Sequence, residues 1–253
     1  MIIDRPREAQ IPALRRLWRE AFGDTEAFLD LFWQSAYSHD RCRCVTVNGD
    51  VAAALYWFSC RYDDRPIAYL YAVATAKDYR GQGICRRLMA DTHRHLAEEG
   101  FRGAILVPGE EGLFRFYERM GYRICSSVRT LRCDAFAAPS SLRPVSLEEY
   151  ALQRRRFLPR GGVLQEGENL LFLEKLSGFY VGEDFVLAAH REGDLLIGDE
   201  LLGNSASAPA AVHALGCRRG ILRTAGDERP FAMYLPLDDG AAAPPAYFGL
   251  AFD

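Results

Sequence analysis

The residues whose types and spacing are best suited to chemistry are Tyr79-Arg80-Gly81-Gln82-Gly83-Ile84-Cys85. They join an apolar run, Ile67 through Thr75, to an amphipathic helical pattern that extends from Ile84 to Glu99. A glycine-bearing turn there leaves the first amides of a helix free, partially positive and pointing outward, which suits a phosphate. Glycine also lacks the Cβ that would hold a bulky anion away from the backbone. Strand, Arg-led turn and helix, in that order, make a cradle for a pyrophosphate.

Several nucleotide ligands could use such a cradle, and a short glycine turn alone is most often only a turn. The dinucleotide pattern Gly-x-Gly-x-x-Gly fails here because Arg86 and Arg87 follow Cys85, and the Gly-Lys-Ser/Thr of a P-loop is absent. The remaining Arg80-Gly-Gln-Gly-Ile-Cys85 resembles the acyl-CoA pyrophosphate loop of the GNAT acetyltransferase superfamily, Gln/Arg-x-x-Gly-x-Gly/Ala. Cys85 replaces the final Gly or Ala; it is small enough to be tolerated, though it narrows the approach to the phosphates. Downstream, Gly103-Ala-Ile-Leu-Val-Pro108 reads as a short buried strand and Glu111 to Met120 as a helix. Gly121 follows where a left-handed helix stop is wanted. Phe116-Tyr-Glu-Arg-Met-Gly-Tyr122 resembles the Phe-Tyr-x-x-x-Gly-Phe/Tyr signature of the same superfamily, about thirty residues after the first motif.

The resemblance implies an N-acetyltransferase that moves an acetyl group from acetyl-CoA to a primary amine, by direct attack in a ternary complex. It assigns the backbone of Ala72, Val73, Ala74 and Thr75 to the pantetheine amides, which an added strand would engage in the same way. Gly81, Gln82, Gly83, Ile84, Cys85 and Arg86 would hold the pyrophosphate, with Arg80 anchoring the loop. Tyr117 would be the general acid toward the leaving thiolate. By periodicity alone, Leu113, Phe116, Tyr117 and Met120 form an ordinary core face; the resemblance turns the tyrosine toward the thioester sulfur.

The general base is not readable. Many relatives carry a glutamate on the strand leading to the cradle, where this chain has Tyr69 and Tyr71. Glu110, Glu111, the terminal carboxylate of Asp253 and a water all remain open. None of the five histidines shows ligand spacing or a base partner, and His93 and His95 read as solvated helix residues. Phe28, Phe32, Trp33 and Tyr37 hint at an apolar acceptor wall, although such a stripe is more often core. Arg15-Arg16-Arg19 and Arg154-Arg155-Arg156 read as solvated helix faces. A small-molecule amine is expected as acceptor in preference to a protein amine. The rival reading is a non-catalytic acyl-CoA-binding or scaffold protein with a decayed acceptor site.

Composition places these motifs in a soluble globular chain. At 253 residues and 49% hydrophobic, it can bury a sizeable core, and a net charge of -3 gives no reason to expect nucleic acid. No apolar run reaches the length of a membrane span, and the N-terminal residues are not a signal peptide. The seven cysteines are odd in number, and Cys42 and Cys44 share one strand face, so reduced thiols and a cytoplasmic location are expected, with no metal. The oligomeric state is not readable.

The elements that must position the motifs exceed a single unit. A short strand at Ile2-Ile3, helices at Glu8 to Phe22 and Thr25 to Tyr37, and strands at 42–47, 51–60 and 67–75 lead into the cradle. Helix 83–99, strand 102–107, helix 111–120 and strand 122–133 follow, and a small, polar linker runs from Ala135 to Ser141. Arg143-Pro144 then Ala151-Leu152-Gln153-Arg154 echo Arg5-Pro6 then Ala13-Leu14-Arg15-Arg16 at equal spacing. A helix at Glu168 to Leu176, three strands between Phe179 and Leu202, a short helix near 207–215, and strands Gly220–Thr224, Phe231–Leu237 and Tyr247–Phe252 complete the pattern. The expected fold is α/β, in α+β layers: two tandem units over 1–136 and 141–253, each a mixed, mostly antiparallel twisted sheet flanked by helices. The second copy has Asn204-Ser-Ala-Ser-Ala-Pro209 in place of the glycine loop, and only six residues between Thr224 and Phe231, so it should not bind acyl-CoA. A working unit followed by a degenerate one resembles the Eis-type acetyltransferases, without the sterol-carrier-like domain that usually follows.

Overall fold

Turn chemistry and alternation set the strands around the cradle. In the computed structural model, which describes residues 1–238 and 243–252, Asn48 and Gly49 both take positive φ and close the hairpin between β2 (Cys42–Val47) and β3 (Asp50–Tyr62). β1 (Ile2–Asp4) flanks β2, and β4 (Arg65–Thr75) flanks β3, all antiparallel. β5 (Gly103–Leu106) then pairs with β4 in parallel. Between them α3 (Ile84–Glu98) crosses one face, burying Ile84, Leu88, Met89 and Leu96 against Leu55, Trp57 and Leu70. α4 (Glu111–Glu118) lies on that face too, and leads to β6 (Arg123–Asp134). α1 (Ile11–Phe22) and α2 (Glu26–Ser35, capped by Thr25) cover the opposite face through Leu14, Trp18, Leu29 and Phe32.

The later elements repeat this sense of pairing. β7 (Arg143–Pro144), β9 (Gly178–Val181), β10 (Phe185–Glu192) and β11 (Leu195–Gly203) run antiparallel in that order, and β12 (Arg219–Ala225) joins β11 in parallel. β8 (Leu164–Gln165) pairs with the end of β3. Helix α6 (Glu168–Leu176) packs with α2 and with α5 (Leu147–Phe157) on the side of the large aromatic core, whereas α7 (Ala208–Ala214) covers the other face. The fold is mixed α/β with a mostly antiparallel sheet flanked by helices, as expected.

The centre of the sheet differs from a plain succession of two units. β13 (Arg229–Pro236) lies between β5 and β6, and the described strands form one sheet of order β1-β2-β3-β4-β5-β13-β6-β12-β11-β10-β9-β7. Val128 of β6 pairs with Ala225 of β12 and with Arg229 of β13, so residues 226–228 carry the chain from one edge of β6 to the other. The crossing is close: a Cβ on Gly226 would come within 2.6 Å of Arg129 Cβ. Only glycine fits there.

Residues 247–252 are not the strand their apolar sequence predicts. Among the described residues they make a single bridge, Gly162 to Tyr247, with Val163 N donating to Tyr247 O, and the carbonyls of 248–252 are taken by side chains. Gln165 Nε2 donates to Leu250 O at 2.6 Å, and Arg223 donates to Gly249 O and Ala251 O at 3.2 and 3.4 Å. Ser126 Oγ and Phe248 exchange hydrogen bonds, and Tyr71 OH donates to Phe252 O at 2.8 Å. Buried side chains thus satisfy the backbone where a neighbouring strand would otherwise be needed.

Arg154 is a second departure: it is buried, not solvated. Its guanidinium makes two bonds to the fully buried Glu200 carboxylate, at 2.6 and 3.0 Å, and Tyr247 OH donates to the same carboxylate at 2.9 Å. Burial works against the arginine's charge and Glu200 outweighs it. Tyr150 and Arg154 are one helical turn apart on α5, so the face was readable; the carboxylate partner, on another element, was not.

Candidate active site

The parallel pair opens where the motifs converge. β4 and β5 are in register at Ile67–Gly103, Ala68–Ala104 and Tyr69–Ile105; their pairing stops there although β4 runs on to Thr75. Along the unpaired part β4 bulges, with Ala72 and Val73 both opposite Leu55 between the Tyr71–Tyr56 and Ala74–Ala54 pairs. Ala72 adopts φ 48°, a left-handed conformation that costs an alanine about 1 kcal/mol. The bulge re-aims the backbone at an open strand edge. Substituting Ala72 with valine, whose branched Cβ tolerates that conformation poorly, should lower stability by about 1–2 kcal/mol in denaturant unfolding.

The glycine turn has the shape its sequence predicts. Gly81 and Gly83 sit at φ 75° and 73°, Gly83 caps α3 with no side chain bonded over the helix start, and a Cβ at either would meet open space. Arg80 Nε donates to Thr75 O at 2.9 Å, tying the loop to the end of β4, and Gln82 Nε2 donates to Asp78 O at 3.0 Å. No carboxylate pairs with Arg80 or Arg86 among the described residues, and both are exposed. Ile84 is buried beneath the turn as a core residue. Cys85 is mostly covered: burial pushes its thiol up to about 11, with Thr75 beside it pulling back.

Tyr117 reaches the same place from α4. It is 6% exposed, and burial, then Cys85, raise its pKa, so the phenol stays protonated at neutral pH. Its ring meets Phe116 and Tyr122, and no hydrogen bond among the described residues engages its hydroxyl. Together with Leu70, Ala72, Val73, Leu106 and Val107 it borders a cavity of about 640 Å³. From the opposite side that cavity is walled by Trp18, Phe22, Phe28, Tyr69, Tyr71 and Phe252, with Asp24 held by Trp18 Nε1 at 2.7 Å. Of the aromatic stripe on α2, Phe28 lines the cavity and Phe32 is core.

Other sequence expectations fall out differently. Glu110 and Glu111 are exposed at the start of α4, and neither lines the cavity. Asp253 lies outside the described residues. His93 is not a solvated helix residue: its Nε2 is 2.7 Å from Tyr122 OH, and burial lowers its pKa to about 4. His190 does have a partner, contrary to the sequence reading. It lines the cavity beside Asp199 and Arg229, with Nδ1 3.2 Å from Ser177 Oγ and 3.6 Å from Asp199 Oδ2. The residues meet because Asp199 is the extra residue of a bulge in β11, between the Ala188–Glu200 and Ala189–Gly198 pairs. No sequence signal marks that register shift.

The later parallel pair and the turn before α7 are built differently. β11 and β12 pair from Leu195–Arg219 to Gly198–Leu222 and, after a register shift, again at Leu201–Thr224, whereas β4 and β5 pair at three positions only. The turn before α7 is filled by its own side chains: Asn204 Oδ1 accepts from Ala206 N, and Asn204 and Ser207 both donate to Asp184. Among the described residues no helix is long and apolar enough to cross a membrane, and all seven cysteines are free thiols.

The fold is that of GNAT acetyltransferases, and residues 3–125 match the family model described as an acetyltransferase (GNAT) domain. That match covers just under half of the chain. A GCN5-related N-acetyltransferase from Kribbella flavida is similar at 19% identity and a TM-score of 0.70, over 92% of this chain and 70% of that one. A GCN5-related N-acetyltransferase from Anabaena variabilis gives 16%, 0.71, 94% and 73% for the same quantities. The Eis protein of Mycobacterium abscessus gives 16%, 0.67, 94% and 74%. At such identities the likeness is one of fold. No curated protein matches in sequence.

Proposed function

We propose that the chain transfers an acetyl group from acetyl-CoA to a primary amine, by direct attack with both substrates bound. One observation carries this reading: the unpaired end of β4, with its bulge at Ala72 and Val73, and Tyr117 border one cavity. Backbone groups of Ala72, Val73, Ala74 and Thr75 on that edge suit the pantetheine amides. The amides at Gly81 through Arg86 suit the diphosphate, with Arg80 fixing the loop and Arg86 adding charge. Both reactants then lie in one cleft, which makes the encounter effectively unimolecular.

In the transfer, the amine nitrogen forms a bond to the thioester carbonyl carbon as the C–S bond breaks. Tyr117, held protonated, donates a hydrogen bond to the sulfur on which negative charge develops. The aromatic wall opposite favours an amine carried on an apolar body. The later elements, 141–253, are read as a divergent copy of 1–136 that retains the strand order without the donor site. Its longer parallel pair and filled turn support that reading.

The test is calorimetry with acetyl-CoA, followed by thiol release across a panel of aromatic, aliphatic and polyamine acceptors. Heat with acetyl-CoA and thiol release with at least one amine are expected; binding without turnover across the panel would favour the non-catalytic alternative. Tyr117→Phe should lower turnover at least about tenfold while acetyl-CoA affinity barely moves. Unchanged turnover removes the phenol from the mechanism.

A further inference from the structure

The geometry points to His190, on the half of the chain that lacks the donor site, as the proton acceptor for the amine. The inference rests on the acetyl-transfer reading and names the group that reading leaves unassigned. His190 lines the cavity that Tyr117 borders, and it is the one histidine to do so among the described residues.

Its surroundings define the atom that would act. Ser177 Oγ donates its only proton to Asp199 Oδ2, so toward His190 it can only accept. Nδ1, 3.2 Å from that oxygen, therefore carries the hydrogen in the neutral ring, and Nε2 keeps the lone pair. Asp199 Oδ2, 3.6 Å from Nδ1, stabilises the imidazolium formed when Nε2 takes a proton. Glu192 Oε1, 3.8 Å from Nε2 and on the same strand, does so from the other side. The remaining charged groups on the cavity are Arg229 from β13 and Asp24 from the turn before α2. The Asp199 carboxylate beside the ring raises the histidine pKa, burial opposes it, and Glu192 adds to the rise.

The balance of the step is simple. The attacking nitrogen loses one proton to Nε2, the new C–N bond forms, and the thiolate leaves with its charge met by Tyr117. His190 must start neutral, so kcat/KM should climb with pH through the raised histidine pKa, above the ordinary value near ~6.5. Asp199 and Ser177 are positioning residues, because they act through the ring.

The experiment measures kcat/KM against pH for the wild-type chain, His190→Gln and Asp199→Asn, using the best amine of the panel, with acetyl-CoA affinity by calorimetry. His190→Gln should lower kcat/KM about 100-fold at neutral pH and erase the ascending limb. Asp199→Asn should move that limb to lower pH, and NMR titration of the His190 ring should show the same shift without any turnover. Acetyl-CoA affinity should stay unchanged in both variants. His190→Gln with a wild-type rate and limb, or with acetyl-CoA affinity lost in step with the rate, overturns the assignment alone. A wild-type chain that gives no heat with acetyl-CoA overturns the donor site and this assignment together.

Discussion

Gly83→Val is expected to weaken coenzyme A binding about 100-fold, or about 2.7 kcal/mol, in calorimetry. The reason is local. A Cβ at this helix cap meets open space, so the chain still folds, but the new side chain stands over the first amides of α3, where a diphosphate would approach. The positive φ adds a folding cost of about 1–2 kcal/mol that a thermal melt would register separately. Acetyl-pantetheine, which has no diphosphate, supplies the control: its weaker binding should be the same in both proteins. Equal losses for the two ligands would place the damage in β4 and not in the phosphate cradle.

Arg154→Met should destabilise the fold by about 3–5 kcal/mol, because it leaves the Glu200 carboxylate buried without its cation. Denaturant unfolding measures this directly. The double change Arg154→Met, Glu200→Leu should recover most of the loss, since two apolar side chains need no ionic partner there. If the single change costs no more than about 1 kcal/mol, the pair is solvated and the burial argument fails. The effect reaches the cavity. Tyr247 bonds to Glu200 and Gln165 holds Leu250, so the network fixes the tail whose Phe252 lines it.

The glycine turn and the helix that carries Tyr117 were legible in the sequence because their signals are local. Gly81 and Gly83 set their own backbone, and Phe116 through Tyr122 set a helix and its stop. The bulge at Ala72 was not legible, since nothing in Ala-Val-Ala-Thr announces a left-handed alanine; it exists only relative to Tyr56 and Ala54 across the ladder. The same holds for Asp199, whose meeting with His190 and Ser177 depends on a register shift in β11. The histidine therefore looked partnerless. Arg154 looked solvated because two neighbouring arginines are, and its carboxylate lies 46 positions away. The tail at 247–252 imitated a strand by composition, yet it is held by side chains of other elements.

The place of β13 bears on how the protein is born. A ribosome delivers β5 and β6 more than ninety residues before the strand that fits between them, as their positions at 103–106, 123–134 and 229–236 require. Until then β5 and β6 present bare backbone edges to solvent or to a neighbouring nascent chain. The last pairing is among the most distant in the sequence, which slows folding. A fragment cut at the 135–141 linker thus keeps the glycine turn and Tyr117 but lacks β13, the strand between β5 and β6, so the first 136 residues are not separable from the rest.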